Sequence, residues 1–255
     1  MSSRDGDREA RRTSFGAVAA AYDAARPDWP AATARWLTGT EDGGPLAGLG
    51  RRLRVADVGA GTGKLTRTLV ALGHEVVAVD PDADMLVALR AAVPGTPTYL
   101  GRGEDLPLPD VSVDAVTVAQ AWHWFDAWVA AAEIARVLRP GGVLGLGWHV
   151  RDVGEPWVAE LEEISHFPRF DGLAALPEPP AFTSTERRTF RYEQRLTVED
   201  LVTQASSWSH IALRDDRDAV LARVAALGER VLAERGSIVL SHDTHCYRFV
   251  RAGEG

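Results

Sequence analysis

The sequence has only one cysteine, Cys246, in 255 residues. One cysteine cannot form an internal disulfide, so a reducing compartment is expected and a cytoplasmic location is predicted. The start of the chain, MSSRDGDREARR, lacks the apolar stretch of a signal peptide, and we predict a disordered tail over residues 1–13. No run of about 18 apolar residues indicates a membrane span, so no membrane partner is expected.

Basic residues are fewer than acidic ones: the chain has 28 Lys and Arg and 36 Asp and Glu, which gives a formal net charge of −8. A nucleic-acid surface needs a basic patch, so nucleic acid is not an expected partner. Hydrophobic residues make up 45% of the chain, which is enough for one substantial core, or for a core with an appended small subdomain. We therefore predict a single globular domain over residues 14–255, as a monomer or a homodimer.

Glycine, in contrast, is concentrated in the stretch VADVGAGTGKLTRTL. A phosphate loop of the GxxxxGK[ST] type would need a glycine at Val58 and a hydroxyl at Leu65. The dinucleotide fingerprint GxGxxG begins with Gly59 and Gly61, but Lys64 takes the place of its third glycine. What remains is a strand, a turn and a helix with backbone N–H groups free at its start. Such a turn can hold a carboxylate or a nucleoside as readily as a phosphate. A turn with no ligand is the alternative.

Strand and helix patterns alternate along the chain. The predicted strands are residues 53–58, 75–80, 98–100, 115–119, 143–149 and 238–250. The predicted helices are residues 14–25, 30–37, 64–72, 83–92, 126–138, 198–207 and 214–235. Crossovers of this length are right-handed and give a parallel sheet with helices on both faces. The sequence thus predicts a doubly wound α/β domain that binds its ligand beyond the carboxyl ends of the strands, with residues 151–195 covering the mouth.

The second predicted strand ends in VVAVDP, which places Asp80 at a carboxyl tip near the glycine turn. A carboxylate there can accept hydrogen bonds from both hydroxyls of a ribose. An aspartate at a strand end can also cap a helix, although Asp82 could do that instead. We favour ribose binding, because the glycine turn and the acid lie at matching strand ends.

Several segments of the sequence together resemble the class I S-adenosylmethionine-dependent methyltransferases of the small-molecule type. This family includes enzymes that act on carboxylic acids such as trans-aconitate. The matching segments are VADVGAGTGKLT, AVDPDADML, GRGEDLPLPDVSVDAVTVAQAWHWFD and EIARVLRPGGVLGLGWH, in the order of the family. The resemblance implies a Rossmann-like sheet of seven strands, parallel except for an antiparallel last strand. It also implies S-adenosyl-L-methionine as cofactor, a small-molecule acceptor, and helices within residues 14–38 that cover the cofactor.

The resemblance assigns cofactor contacts by position. The methionine end would be bound by Asp57, Gly59, Ala60, Gly61, Ala119 and Gln120, the ribose by Asp80, the adenine by Met85, Gly103 and Glu104, and the carboxylate and methyl by Tyr22 and Arg26. Pro81 would also contact the cofactor. Arg102 stands where the family often has an adenine-binding aspartate, so Glu104 or the backbone of Gly103 would replace that contact. For Tyr22, a plain core aromatic is the alternative.

The stretch QAWHWF supplies the candidate substrate pocket, with Trp122, His123 and Trp124. Aromatic faces can shape an apolar pocket beside a cation, and a histidine can take a proton from an acceptor hydroxyl or amine. Ordinary packing of the tryptophans and a structural role for His123 are the alternatives. Methyl transfer by in-line displacement needs no metal, and neither the HDTHC stretch nor Glu162 with His166 predicts a metal site.

Three further readings stay open from the sequence. A nicotinamide-dependent oxidoreductase could use the same sheet, and a protein without catalytic activity could retain the cofactor fold. An acidic protein can also bind an anionic acceptor if arginines line the segment that covers the site, residues 151–195. Arg151, Arg169 and Arg187 are the candidates.

Overall fold

The computed structural model describes residues 28–49, 51–166 and 181–253. The predicted tail, the predicted helix at residues 14–25, and the side chains of Tyr22, Arg26 and Arg169 lie outside these ranges. The strands are β1 (Arg54–Val58), β2 (Glu75–Asp80), β3 (Thr98–Leu100), β4 (Val113–Ala119), β5 (Leu138–Arg151), β6 (Phe182–Leu196) and β7 (Ile238–Arg251). The helices are α1 (Ala31–Thr38), α2 (Lys64–Ala71), α3 (Ala83–Ala92), α4 (Ala127–Val137), α5 (Pro156–Ser165), α6 (Val198–Ser206), α7 (Ser209–Ala212) and α8 (Arg217–Arg235).

All seven strands form one sheet in the order β3-β2-β1-β4-β5-β7-β6. The first five strands are parallel to one another, and β7 runs antiparallel to both β5 and β6. Only β7 therefore opposes the common direction. The predicted doubly wound sheet with an antiparallel last strand is confirmed.

Each face of the sheet is covered by helices, because buried strands present apolar side chains on both sides. On one face, which we call the α1 face, Trp36 and Leu37 of α1 and Leu69 of α2 pack together with Val143 of β5. On the opposite face, Ile134 of α4 packs in a cluster with the alternate residues of β4 and β5. The predicted helices on both faces are confirmed.

Helices α5, α6, α7 and α8 build a separate helical layer with its own apolar core. The core includes Trp157, Leu161, Leu201 and Trp208, and it extends onto Ile238 and Leu240 at the start of β7. Because β7 is antiparallel, its start lies beside the carboxyl end of β5. The helical layer therefore stands at the edge of the sheet where a doubly wound fold binds its ligand.

The prediction that residues 151–195 are irregular is wrong for residues 156–165 and 182–195. Residues 182–196 form β6, an edge strand that pairs with β7 along its length. Of this range, residues 156–165 form α5, and residues 167–180 lie outside the described ranges. Among the residues that the structure describes, no helix is both long and apolar enough to cross a membrane.

Candidate active site

The glycine turn after β1 holds three glycines in the left-handed region, with φ of 69° at Gly59, 55° at Gly61 and 88° at Gly63. A β-carbon at Gly59 would lie 2.5 Å from the β-carbon of Ala121, and one at Gly63 would lie 2.8 Å from Leu89. At Gly61 it would meet no atom of the described residues within 4 Å. Gly59 and Gly63 are therefore required by packing, whereas Gly61 faces space that a ligand can approach.

The backbone N–H groups of this turn are bound within the protein. Those of Gly59 and Ala60 donate to the Val79 carbonyl at 2.8 and 3.2 Å, and that of Gly61 donates to Asp80 Oδ2 at 2.8 Å. The expectation of free N–H groups concerns the start of α2 at Lys64, so these three bonds in the turn before it leave that expectation a prediction. The turn can accommodate a ligand by its shape, rather than by offering these groups to an anion.

Asp80 lies where the sequence analysis predicts it, at the end of β2 and against the glycine turn. Its Oδ1 accepts from the Asp82 backbone at 2.9 Å, while Asp82 itself caps α3 by accepting from Asp84 and Met85. The helix cap is thus provided by Asp82. A carboxylate can accept about four hydrogen bonds, so Asp80 can bind both backbone groups and also accept from hydroxyls.

Asp57 lies beneath the turn and is fully buried. Its two oxygens accept from Thr66 at 2.6 Å and from Thr117 at 3.0 Å. Burial raises the pKa of Asp57 to about 6, although the two threonine hydroxyls partly oppose this shift. Asp57 thereby ties β1 to β4 and to α2, and its carboxylate supports the turn from below.

Gln120 follows β4 and adopts an unusual backbone conformation, with φ of 57°. Its backbone N–H donates to the Gly147 carbonyl at 2.9 Å, and its side-chain Nε2 donates to the His149 carbonyl at 3.2 Å. Left-handed non-glycine residues are strained and cluster at functional sites. These bonds fix the position of Ala119 and Gln120 relative to the end of β5.

The positions that the resemblance assigns to adenine are partly used by packing. Met85 is buried in the first turn of α3, and a β-carbon at Gly103 would lie 2.7 Å from the Phe125 ring. Glu104 Oε1 accepts from the backbone of Asp126, the cap of α4, at 2.8 Å. Glu104 thus has a structural role, and an adenine contact at this position remains a prediction. Pro81, next to Asp80, is half-buried.

The predicted pocket aromatics lie on a short 3-10 helix, Trp122–Trp124, and differ in exposure. Trp122 is buried in the core and packs edge-on against Phe125, while Trp124 is half-buried and His123 is exposed. The packing interpretation therefore holds for Trp122.

His123 has a partner that constrains its chemistry. Its Nδ1 lies 3.4 Å from Trp148 Nε1. An indole nitrogen can only donate, so Nδ1 accepts and the neutral ring carries its proton on Nε2. That tautomer presents a donor at Nε2, where a general base needs a lone pair. The geometry favours the structural alternative for His123.

Beyond Gly147, polar side chains from three strands meet on the α1 face. We call them the polar band: His149 and Arg151 of β5, Tyr192 of β6, and His242 and Thr244 of β7. His149 Nδ1 lies 2.7 Å from Thr244 Oγ1, and the His149 ring centroid lies 4.1 Å from that of Trp29. The centroids of Tyr192 and His242 are 6.1 and 6.2 Å from that of His149. The sequence analysis did not find this cluster.

Two of the candidate arginines lie within the described ranges, and they differ in their surroundings. Arg151 Nε donates to Glu162 of α5 at 3.0 Å, and its guanidinium lies 4.0 Å from the Trp208 ring centroid. Arg187 of β6 lies opposite Tyr247 of β7 in the sheet. Glu162 is thus an ion-pair partner, and in the described ranges no group of three or more His, Cys, Asp or Glu side chains is arranged to hold a metal ion.

Comparison with known proteins agrees with this geometry. A family profile described as a methyltransferase domain matches residues 56–146. An uncharacterised methyltransferase of Mycobacterium tuberculosis (strain ATCC 25618 / H37Rv) is 44% identical over 242 residues, covering 92% of this chain and 94% of the relative. A malonyl-[acyl-carrier protein] O-methyltransferase of Methylococcus capsulatus is 36% identical over 154 residues, covering 58% of this chain and 53% of the relative.

Among solved structures, one from Anaeromyxobacter dehalogenans, described as a proposed type II methyltransferase, aligns with a TM-score of 0.70 at 26% identity. The alignment covers 90% of this chain and 99% of the other. The strand order, the open face at Gly61 and the carboxylate beside it agree with these similarities. The chain therefore belongs to the class I methyltransferases, enzymes that use S-adenosylmethionine as their cofactor.

Proposed function

We propose that this enzyme methylates an oxygen or nitrogen atom of a small molecule, which binds beside the glycine turn and beneath the helical layer. The observation that carries the proposal is the polar band, a group of largely buried polar side chains next to the cofactor positions Ala119 and Gln120. Buried polar groups that do not serve the core are typical of a ligand site. The band spans a few side chains, which suits a small acceptor.

The residues present fit the cofactor. Gly61 offers a surface without a side chain, and Asp80 beside it would accept from the two ribose hydroxyls. When bound, S-adenosylmethionine supplies an electrophilic methyl group on a sulfonium, whose leaving group is a neutral thioether. The protein then has to orient the acceptor and exclude water, and the helical layer covers the ligand edge of the sheet.

A carboxylate acceptor is a second candidate. A relative that covers 58% of this chain is named for O-methylation of malonyl-[acyl-carrier protein]. An ionised carboxylate needs no base, so the two classes of acceptor differ in what they require of nearby histidines. A cytoplasmic location and a monomeric or homodimeric state remain predictions.

The proposal is tested by incubating the purified enzyme with methyl-labelled S-adenosylmethionine and the low-molecular-mass filtrate of a bacterial lysate. Mass spectrometry should find the label in a small molecule, and the Asp80→Ala variant should transfer far less of it. NAD added in place of the labelled cofactor should leave the filtrate unchanged. Label found only in the macromolecular fraction of unfiltered lysate would contradict a small-molecule acceptor.

A further inference from the structure

The α1 face of the sheet changes from apolar to polar and back along β7. Cys246 belongs to the apolar cluster beneath α1, whereas Leu240 and Ile238 belong to the helical layer. Between these two cores lie Thr244 and His242, which are buried with 0% and 3% exposure. Continuous apolar packing would join the cores without polar atoms, and burying such atoms is costly. The polar side chains between the two apolar cores are therefore expected to have a role other than packing.

His149 occupies the centre of this interruption. Thr244 on the adjacent strand holds Nδ1 at 2.7 Å, and Trp29 covers the ring. A β-carbon at Gly147, two residues earlier on the same face, would lie 2.8 Å from the Trp29 ring, so Gly147 gives the indole room beside His149. The imidazole is therefore oriented by one polar and one aromatic contact from different elements.

The position of His149 relative to the cofactor follows from the backbone. Ala119 pairs with Gly147, and both the backbone and the side chain of Gln120 bind carbonyls of β5. Neighbouring strands are about 4.8 Å apart. His149 thus lies one strand beyond the residues that, on the proposed function, contact the methionine end.

We propose that His149, oriented by Thr244, removes the proton from the acceptor, and that the acceptor is a hydroxyl or an amine rather than a carboxylate. The proposal rests on the proposed function above. When the acceptor oxygen or nitrogen bonds to the methyl carbon, the carbon–sulfur bond breaks and its electron pair goes to sulfur. The acceptor proton passes to His149 Nε2, which is buried, and the imidazolium loses this proton to water after the product has left. Thr244 is a positioning residue, because its hydroxyl oxygen accepts a hydrogen bond from Nδ1–H. In that tautomer, the ring lone pair is on Nε2.

The tautomer of His149 provides a test that needs no acceptor. Long-range ¹H–¹⁵N spectra of the full chain with labelled histidine, recorded at pH 8, should show the His149 proton on Nδ1. His149→Asn assigns the signal by removing it, and His245→Asn, on the opposite face of β7, should leave it unchanged. Thr244→Val should move the proton toward Nε2, and Thr244→Ser should restore it. A wild-type ring protonated on Nε2, or one that does not respond to Thr244→Val, would overturn the assignment.

Turnover separates this inference from the proposed function. With S-adenosylmethionine and the lysate filtrate, His149→Asn should release S-adenosylhomocysteine about a hundredfold or more slowly than the wild type, with the affinity for S-adenosylmethionine unchanged. His245→Asn should match the wild type. If His149→Asn turns over normally, the proton-removal role is wrong while methyl transfer stands, and a carboxylate acceptor is favoured. If the wild type itself does not bind S-adenosylmethionine, the proposed function fails and the role of His149 fails with it.

Discussion

Gly61 and Gly73 share a left-handed backbone, with φ of 55° and 89°, and at neither would a β-carbon meet a described atom within 4 Å. An added side chain costs roughly 1 to 2 kcal/mol of strain at either position. Only Gly61 contacts Asp80 and faces the expected cofactor. Gly61→Ala should therefore weaken S-adenosylmethionine binding at least about tenfold, a loss of about 1.4 kcal/mol, whereas Gly73→Ala should not.

Both variants should lose similar thermal stability, so the comparison separates backbone strain from ligand contact. Calorimetric titration and thermal unfolding of the two proteins provide the two measurements. Equal cofactor affinity in Gly61→Ala and Gly73→Ala would show that the cofactor does not approach Gly61.

Asp57 gives the unfolding free energy an unusual pH dependence. Its folded-state pKa of about 6 exceeds the ordinary value of 3.8, so the folded chain binds this proton more tightly than the unfolded chain. The resulting stabilisation is complete below about pH 4 and is lost as the pH rises through 6. Between pH 4 and 7 the wild type should therefore lose stability relative to Asp57→Asn, in which an amide can still bond both threonines.

Urea unfolding across this pH range measures the difference directly. Asp218→Asn is the control, since the Asp218 side chain is 97% exposed. Parallel curves for the wild type and Asp57→Asn would contradict the raised pKa of Asp57.

At single positions, the sequence predicts the site residues that belong to one short continuous pattern. Gly59, Gly61 and Asp80 belong to short continuous patterns, and the structure brings them together. His149 and Thr244 are far apart in the chain and meet only through the pairing of β5 with β7. For His123, the decisive partner is Trp148 on β5, which no pattern around the QAWHWF stretch indicates.

Among the elements, β2, β3 and α3 are predicted with the bounds that the structure shows, whereas β6 is missed. The central strands are short, almost continuous buried runs, because both faces of the sheet are covered. As an edge strand, β6 has the sequence FTSTERRTFRYEQRL, whose charged residues obscure a two-residue period. Charged side chains on an edge strand also discourage pairing with another chain.

The contact between α1 and β5 depends on two glycines of β5 that lie on the α1 face. A β-carbon at Gly145 would collide with the Leu37 carbonyl, and one at Gly147 would lie 2.8 Å from the Trp29 ring. Gly147→Ala must displace the indole, so the unfolding free energy should fall by about 1 to 3 kcal/mol. Urea unfolding tests this, with Gly48→Ala as the control, because no described atom lies within 4 Å of a β-carbon there. Equal stability of the two variants would show that Trp29 is not held against Gly147.

For the molecule as a whole, Arg151 joins the end of the sheet to the helical layer. It binds Glu162 of α5 and lies over Trp208, with its side chain 7% exposed. Removing one partner of a buried ion pair leaves the other uncompensated, so Arg151→Met should cost about 3 kcal/mol of unfolding free energy. A double-mutant cycle with Glu162→Gln should show that the two losses are not additive. Additive losses would mean that the pair does not couple the layer to the sheet.

Of the helices that follow β6, α6 and α8 are predicted from sequence, whereas the short α7 and the core that these helices share are not. Val220, Val224, Leu227 and Val231 recur at helical spacing, which indicates one buried face of α8. Which surface covers that face depends on contacts with α5 and α6, and on the start of β7. Those contacts are set by the topology of the sheet, which brings the carboxyl end of β5 beside the start of β7.

The central claim, that the cofactor binds across the glycine turn with its ribose on Asp80, is tested most directly by calorimetric titration of the wild type and Asp80→Ala with S-adenosylmethionine. Loss of charge-assisted hydrogen bonds in a buried site should weaken binding by about 2 to 4 kcal/mol, roughly 30- to 700-fold, in a variant that remains folded. A folded Asp80→Ala protein that binds S-adenosylmethionine with wild-type affinity would contradict the claim.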